Sequence, residues 1–169
     1  MEQKHWYVGF VKASQDAKVA QSLTTLGIEH FYAVRKVRRR WSDRIKIKEE
    51  PLIRGIIFIH TDNLSRVALL SEIYGLYAYM ARGVNNPIVV PDNQMKTFID
   101  MVTKSNKTVE FHKEHFKPGD KIRIINGPLV GVECELIKID GKNYAMVRLA
   151  SIGNALTSIS MEDVEKIME

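Results

Sequence analysis

The sequence predicts an α+β protein in two parts: an N-terminal antiparallel sheet flanked by helices, then a small SH3-like β-barrel. Three observations lead there. Up to Lys104, strand-like and helix-like apolar patterns follow one another in the order β-α-β-β-β-α-β-α, which folds as helices packed on a mostly antiparallel sheet. From Phe116 onward, short strands recur at close spacing with turn residues between them, the signature of a small barrel. The charge is also uneven. Residues 1–106 hold 16 Lys/Arg against 10 Asp/Glu, and residues 107–169 hold 9 against 10. Two units with different partners follow from that asymmetry. The expected boundaries are 1–104 for the first domain, 105–115 for a polar linker and 116–169 for the second.

In the first part, His5-Trp6-Tyr7-Val8-Gly9-Phe10-Val11 is aromatic and β-branched and predicts an opening strand. Ser14 or Asp16 is placed to cap a helix with Val19, Ala20, Leu23 and Leu26 on one face, and Gly27 sits where it would stop. Ile28 to Val37 predicts a strand that runs on into basic sequence. Trp41-Ser42-Asp43-Arg44 predicts a turn. On the return, Ile45 and Ile47 alternate with Arg44, Lys46 and Lys48, so Val34 to Lys48 is expected to be a basic, half-exposed β-hairpin. Ile56-Ile57-Phe58-Ile59 is apolar on both faces and reads as a central strand. Asp62 or Asn63 would cap a second helix bearing Val67, Leu69, Leu70 and Ile73. A strand through Tyr77 and Tyr79, a short edge near Pro87 to Pro91, and a third helix from Asp92 with Met95, Phe98, Ile99 and Val102 complete the domain.

Thr103 to His115 is polar without periodicity and reads as a linker. Beyond it, strands are expected at Lys121–Ile125, Cys134–Asp140, Asn143–Leu149 and Ala155–Ile159. Asp140-Gly141-Lys142 forms a hairpin turn between two of them.

Composition narrows the function. The chain has 169 residues, 45% hydrophobic and 27% charged, with a formal charge of +5, as expected of a soluble globular protein. No apolar run approaches the ~18 residues of a membrane helix, and Met1 to His5 lacks the features of a secretory signal. Cys134 stands alone, which excludes an internal disulfide or a cysteine-based zinc site and suits a reducing cytoplasm. His112 and His115 have no third ligand nearby, and no nucleophile, acid–base pair or phosphate-loop motif is present. No metal, cofactor or catalytic site is expected.

The surface signals are more informative. In Arg35 to Lys48, 8 of 14 residues are basic and only Asp43 opposes them. Like charges along a ribbon repel unless a polyanion neutralises them, and Trp41 at the tip adds a stacking surface for single-stranded bases. Trp6 and Tyr7, and the run Leu52 to Ile59 with Gly55 inside it, are consistent with plain core and with an apolar contact surface.

Taken together, Trp6-Tyr7-Val8, the Leu52–Ile59 strand with Gly55, Pro87-Ile88 and the KOW-like stretch Phe116 to Leu136 resemble the NusG family of transcription elongation factors across nearly the whole chain. The resemblance implies a non-catalytic factor whose N-terminal domain docks on the clamp helices of the largest RNA polymerase subunit. Its contact residues would be Trp6, Tyr7, Ile53 and Ile56, with Phe58 in support. Aliphatic residues replace family aromatics there, and Arg54 stands for the usual proline. Lys12, Arg38, Arg39, Arg40, Trp41 and Arg44 would reach non-template or upstream DNA, with nascent RNA a further candidate. The KOW domain would recruit a partner through Leu129 and Ile152, either termination factor Rho or a small-subunit ribosomal protein. Ile152-Gly153-Asn154 stands where Phe-Gly-Arg is usual, which counts against Rho. The departures resemble UpxY-type antiterminators of capsular polysaccharide operons. The competing reading is a KOW-type RNA-binding protein of ribosomal kind. No membrane partner is expected.

Overall fold

The structure, a computed structural model, describes residues 2–78 and 86–168. They form two compact units. The first comprises Met1–Ala33 and Ile53–Met95, and the second Val34–Leu52 and Lys96–Glu169.

In the first unit, β1 (His5–Val11) lies between β5 (Ile56–Thr61) on one side and β6 (Leu76–Ala78) with β7 (Val89–Val90) on the other, and β2 (His30–Phe31) pairs with the outer edge of β5. Each of these pairings is antiparallel. Alternation along β1 divides its side chains between two faces. Val11 joins Ile57, Ile59 and Leu76 on the face that packs against Val19 and Leu23 of α1 (Asp16–Thr25) and Leu69 of α2 (Asn63–Glu72), with Ile73 following it. Trp6, Val8 and Phe10 project the other way, opposite His60, Phe58 and Ile56 of β5.

Helix boundaries follow local chemistry with one departure. The Asp62 carboxylate accepts from the Ser65 backbone N–H at 2.8 Å and from the Ser65 hydroxyl at 2.9 Å, so Asp62 caps α2. Those donors hold its carboxyl below the ordinary aspartate range. At α1 neither expected residue caps. Gln15 occupies the position without a side-chain bond, Ser14 adopts φ 69°, and the Asp16 carboxylate accepts from the Tyr32 hydroxyl. Val67, expected on the buried face of α2, is exposed, and Arg66 is buried there instead. The strand expected over Ile28–Val37 is two strands in different sheets, β2 and β3. Tyr79 lies outside the described residues.

The second unit contains the hairpin, β3 (Val34–Arg40) with β4 (Ile45–Pro51), as a two-stranded sheet of its own. It also contains a six-stranded antiparallel sheet in the order β13-β9-β10-β11-β12-β8. Its strands are β8 (Val109–His112), β9 (Asp120–Ile124), β10 (Glu133–Ile139), β11 (Lys142–Leu149), β12 (Gly153–Ser158) and β13 (Val164–Lys166). Asp140 and Gly141 both have positive φ, 49° and 79°, as the tight turn between β10 and β11 requires. Helix α3 (Asp92–Lys104) buries Met95, Phe98 and Met101.

Two strands were not evident from sequence. β13 is only Val164–Lys166. β8 falls within the stretch expected to be an unstructured linker and pairs with the edge of β12. What fixes β8 is a glycine. Gly153, at φ 151°, leaves room for the Phe111 ring, and a Cβ there would lie 2.9 Å from the His112 carbonyl oxygen. The Thr157 hydroxyl donates to the Thr108 carbonyl, and the Asn154 amide donates to the Glu114 carbonyl at 2.8 Å. A polar segment is thereby ordered by partners some forty residues away in sequence.

Candidate nucleic-acid and partner interfaces

The hairpin carries the whole charge imbalance. Residues 34–51 contain 8 of the 25 Lys/Arg and 3 of the 20 Asp/Glu, leaving 17 of each elsewhere. Register places Arg38 opposite Ile47, Arg39 opposite Lys46, and Arg40 opposite Ile45. Trp41 and Arg44 close the tip, where the Trp41 backbone N–H donates to the Arg44 carbonyl at 2.8 Å. The expected turn at Trp41–Arg44 is therefore present. The expected half-burial is not: Ile45 and Ile47 are 60% and 63% exposed, and Trp41 is 59% exposed. Towards the tip, both faces of the ribbon are open. Among the described residues, Arg39 is the hairpin cation with an ion-pair partner, Glu50, whose carboxyl that guanidinium holds below the ordinary glutamate range.

Lys12 belongs to the other unit. Its ammonium donates to the Tyr74 hydroxyl at 3.0 Å and lies over that ring, and the bond raises its pKa. The structure therefore brings Arg38, Arg39, Arg40, Trp41 and Arg44 onto one ribbon and assigns Lys12 elsewhere.

The expected polymerase-contact residues Trp6, Tyr7, Ile53 and Ile56 are all buried, at 5–8% exposure. Trp6 stacks on His60, with ring centroids 4.8 Å apart, and His60 in turn contacts Glu29 through Nδ1 at 2.6 Å. Tyr7 is on the opposite face, with the Arg66 guanidinium 5.1 Å from its ring centre. Adjacent positions on a strand cannot share one pocket. On the Trp6 face of the sheet, Phe10 and Tyr77 reach the surface, 44% and 50% exposed. They are cross-strand partners, and Phe10 also opposes Ile56. Gly55, at φ 74°, lets the Phe10 ring lie against the backbone, since a Cβ would sit 3.1 Å from that ring. Alternation from Trp6 through Val8 was the sequence signal that could have singled out Phe10.

In the second unit Leu129 is buried and Ile152 half-buried, in the turn between β11 and β12. Val130, beside Leu129, is 62% exposed. The Cys134 thiol is pushed up to about 12, chiefly by burial and then by the Glu135 charge, so it stays protonated at neutral pH. Among the described residues no group of three His, Cys, Asp or Glu is arranged to hold a metal, and no helix is long and apolar enough to cross a membrane.

The architecture is that of an α+β protein with a helix-backed antiparallel sheet in one unit and, in the other, an all-β six-stranded sheet and a cationic hairpin that is a two-stranded sheet of its own. A family model for the transcription termination factor NusG matches residues 4–99, more than half of the chain. The chain belongs to the NusG family, and so to the transcription elongation and antitermination factors. Among solved structures it is similar to Thermotoga maritima NusG, at 19% identity and a TM-score of 0.50 over 98% of each chain, a likeness of fold. The MjSpt4:Spt5 complex aligns over 97% of each chain at 13% identity and a TM-score of 0.27. No curated protein matches the chain.

Proposed function

We propose that this NusG-family factor docks on the clamp helices of RNA polymerase through the edge of its N-terminal sheet, places the hairpin on non-template or upstream DNA, and uses a C-terminal KOW domain to recruit a partner. The functional domains would be 1–104 and 116–169, joined through 105–115. The observation that carries the docking reading is the exposed pair Phe10 and Tyr77. With Ile56, directly opposite Phe10, the pair forms one row over the adjacent strands β6, β1 and β5, and the Ile56 backbone N–H meets the Ile53 carbonyl. Two aromatics left at the surface beside a buried apolar floor have the composition of an interface hot spot. Trp6, Ile53 and Ile56 then shape the floor, Tyr7 backs the strand from the opposite face, and Phe10 and Tyr77 make the contact.

The choice of KOW partner rests on Ile152-Gly153-Asn154. Gly153 and Asn154 are buried and committed to holding β8, so this loop has little to offer Rho. A small-subunit ribosomal protein is the remaining family partner. Loss of the Rho-type residues supports a specialised cytoplasmic antiterminator of UpxY type, acting at a few long operons such as capsular polysaccharide loci, without cofactor or catalysis.

Phe10→Asp tests the docking site, because its ring is already partly in water and the charge need not be buried. The expected result is retained thermal unfolding with at least a tenfold loss in polymerase capture, about 1.4 kcal/mol. Capture equal to the parent refutes the site.

A further inference from the structure

We propose that a second nucleic-acid surface continues the hairpin: a track for a single-stranded phosphodiester chain that runs from the base of β3 across Ser105–Thr108. The inference rests on the reading of the hairpin as a polyanion contact. It comes from three clefts of the second unit that share Asn106 and Lys107. The largest, about 800 Å³, lies between the hairpin base and the segment from Val102 to Val109. It is lined by Arg35, Lys36, Arg38 and Lys107 against one carboxylate, Glu49. The next, about 450 Å³, is bounded by Lys142 and Tyr144, and its carboxylate, Glu110, is turned to His112 at 3.1 Å. The third, about 180 Å³, reaches the Gly127–Leu129 turn.

Three features favour a nucleic-acid strand over a small anion. The cations are spread along a path, not gathered at a point. They alternate with hydroxyls and amides, the mixture that contacts phosphate and sugar. Tyr144, half-buried against Ile137, Met146 and Leu156, lines the second cleft and brings an aromatic ring to the path. The floor is also held in place. The Lys107 backbone N–H donates to the Ser105 hydroxyl, which in turn meets its carbonyl at 3.1 Å, and the Thr157 hydroxyl holds the Thr108 carbonyl. Lys107 and Lys142 have no ion-pair partner among the described residues. A rigid, unneutralised floor is prepared for phosphate.

The test uses the full chain and labelled oligo-dT and oligo-U of about 16 nucleotides, long enough to span one such groove, with duplex DNA as a third arm. Lys107→Gln/Lys142→Gln alters the track, and Arg40→Gln/Arg44→Gln/Lys46→Gln alters the distal hairpin. All five positions are exposed, and unchanged thermal unfolding confirms folding. The track variant should flatten the log–log salt slope for single strands by about 0.7 per lost contact. The tip variant should flatten it separately, with the two effects adding. A flattened slope for the tip variant alone overturns the track and leaves the hairpin reading standing. An unchanged slope for the tip variant overturns the hairpin reading itself. Equal weakening of duplex binding by the track variant overturns the single-strand assignment. The dT and U arms decide whether the strand is DNA or RNA.

Discussion

In the C-terminal sheet Arg123 lies 2.7 Å from Glu133 and 3.1 Å from Glu165, and Arg148 is held by Glu135 and the Phe116 carbonyl. In the hairpin, eight cations share the single ion pair of Arg39 with Glu50 among the described residues. Both regions are antiparallel with Lys and Arg on their strands, yet Arg123 and Arg148 are matched by carboxylates of their own sheet, whereas most hairpin cations have no ion-pair partner among the described residues. Hydrogen bonds to a charged, half-buried group stabilise by about 1.5–3 kcal/mol. Like charges directly opposite on a ribbon, as at Arg39 and Lys46, destabilise it. On the proposed function, a nucleic-acid partner would relieve that repulsion.

The largest expected effect is in the matched region. Arg148→Ala leaves the half-buried Glu135 carboxylate without its guanidinium and should cost about 1.5–3 kcal/mol in urea unfolding. A change within about 0.5 kcal/mol, the range of an ordinary surface substitution, would break the contrast between the two regions. The second effect is smaller and opposite in kind. Arg38→Gln/Arg40→Gln/Lys46→Gln in the absence of nucleic acid should leave the unfolding midpoint unchanged or raised, because it relieves repulsion without opening a cavity. A lowered midpoint would mean that these side chains hold the ribbon together.

The contrast also explains what the sequence disclosed. The hairpin was legible because its information is local: a run of Lys and Arg, a turn at Trp41–Arg44, and alternation on the return. The Asp140-Gly141 turn and the Asp62 cap were legible for the same reason, each being set by a few neighbouring residues. β8 was not, because Val109–His112 takes its order from Gly153, Asn154 and Thr157, and nothing within the segment encodes that pairing. For the proposed N-terminal contact surface, aromatic and aliphatic composition singled out β1 and the Leu52–Ile59 stretch, but face assignment needs the sheet, and the sheet turns Tyr7 towards α2 while leaving Phe10 at the surface. A core residue and a contact residue look alike until the helices are placed.

The smallest expected effect is at the one hairpin cation that resembles the C-terminal sheet. Arg39 reaches diagonally past Lys48 to Glu50 near the hairpin base, and its bond holds the Glu50 carboxyl below the ordinary glutamate range, with burial opposing. A carboxyl whose folded pKa is depressed contributes stability above its unfolded pKa and loses it as pH falls through the folded one. The pair should therefore be intact at neutral pH and dissolve only in acid, below the pH at which an unpaired glutamate protonates. Following the Glu50 side-chain carbonyl by NMR should place its midpoint below the ordinary glutamate range. Arg39→Gln should move the midpoint back up, with little change in the unfolding transition, as for other exposed pairs. A midpoint unmoved by Arg39→Gln would remove the exception, and the hairpin would then hold no internally matched cation among its described residues. Its nucleic-acid surface would gain Arg39 as an eighth available charge, and the salt slope of the parent should exceed that expected from seven contacts by about 0.7 to 0.9.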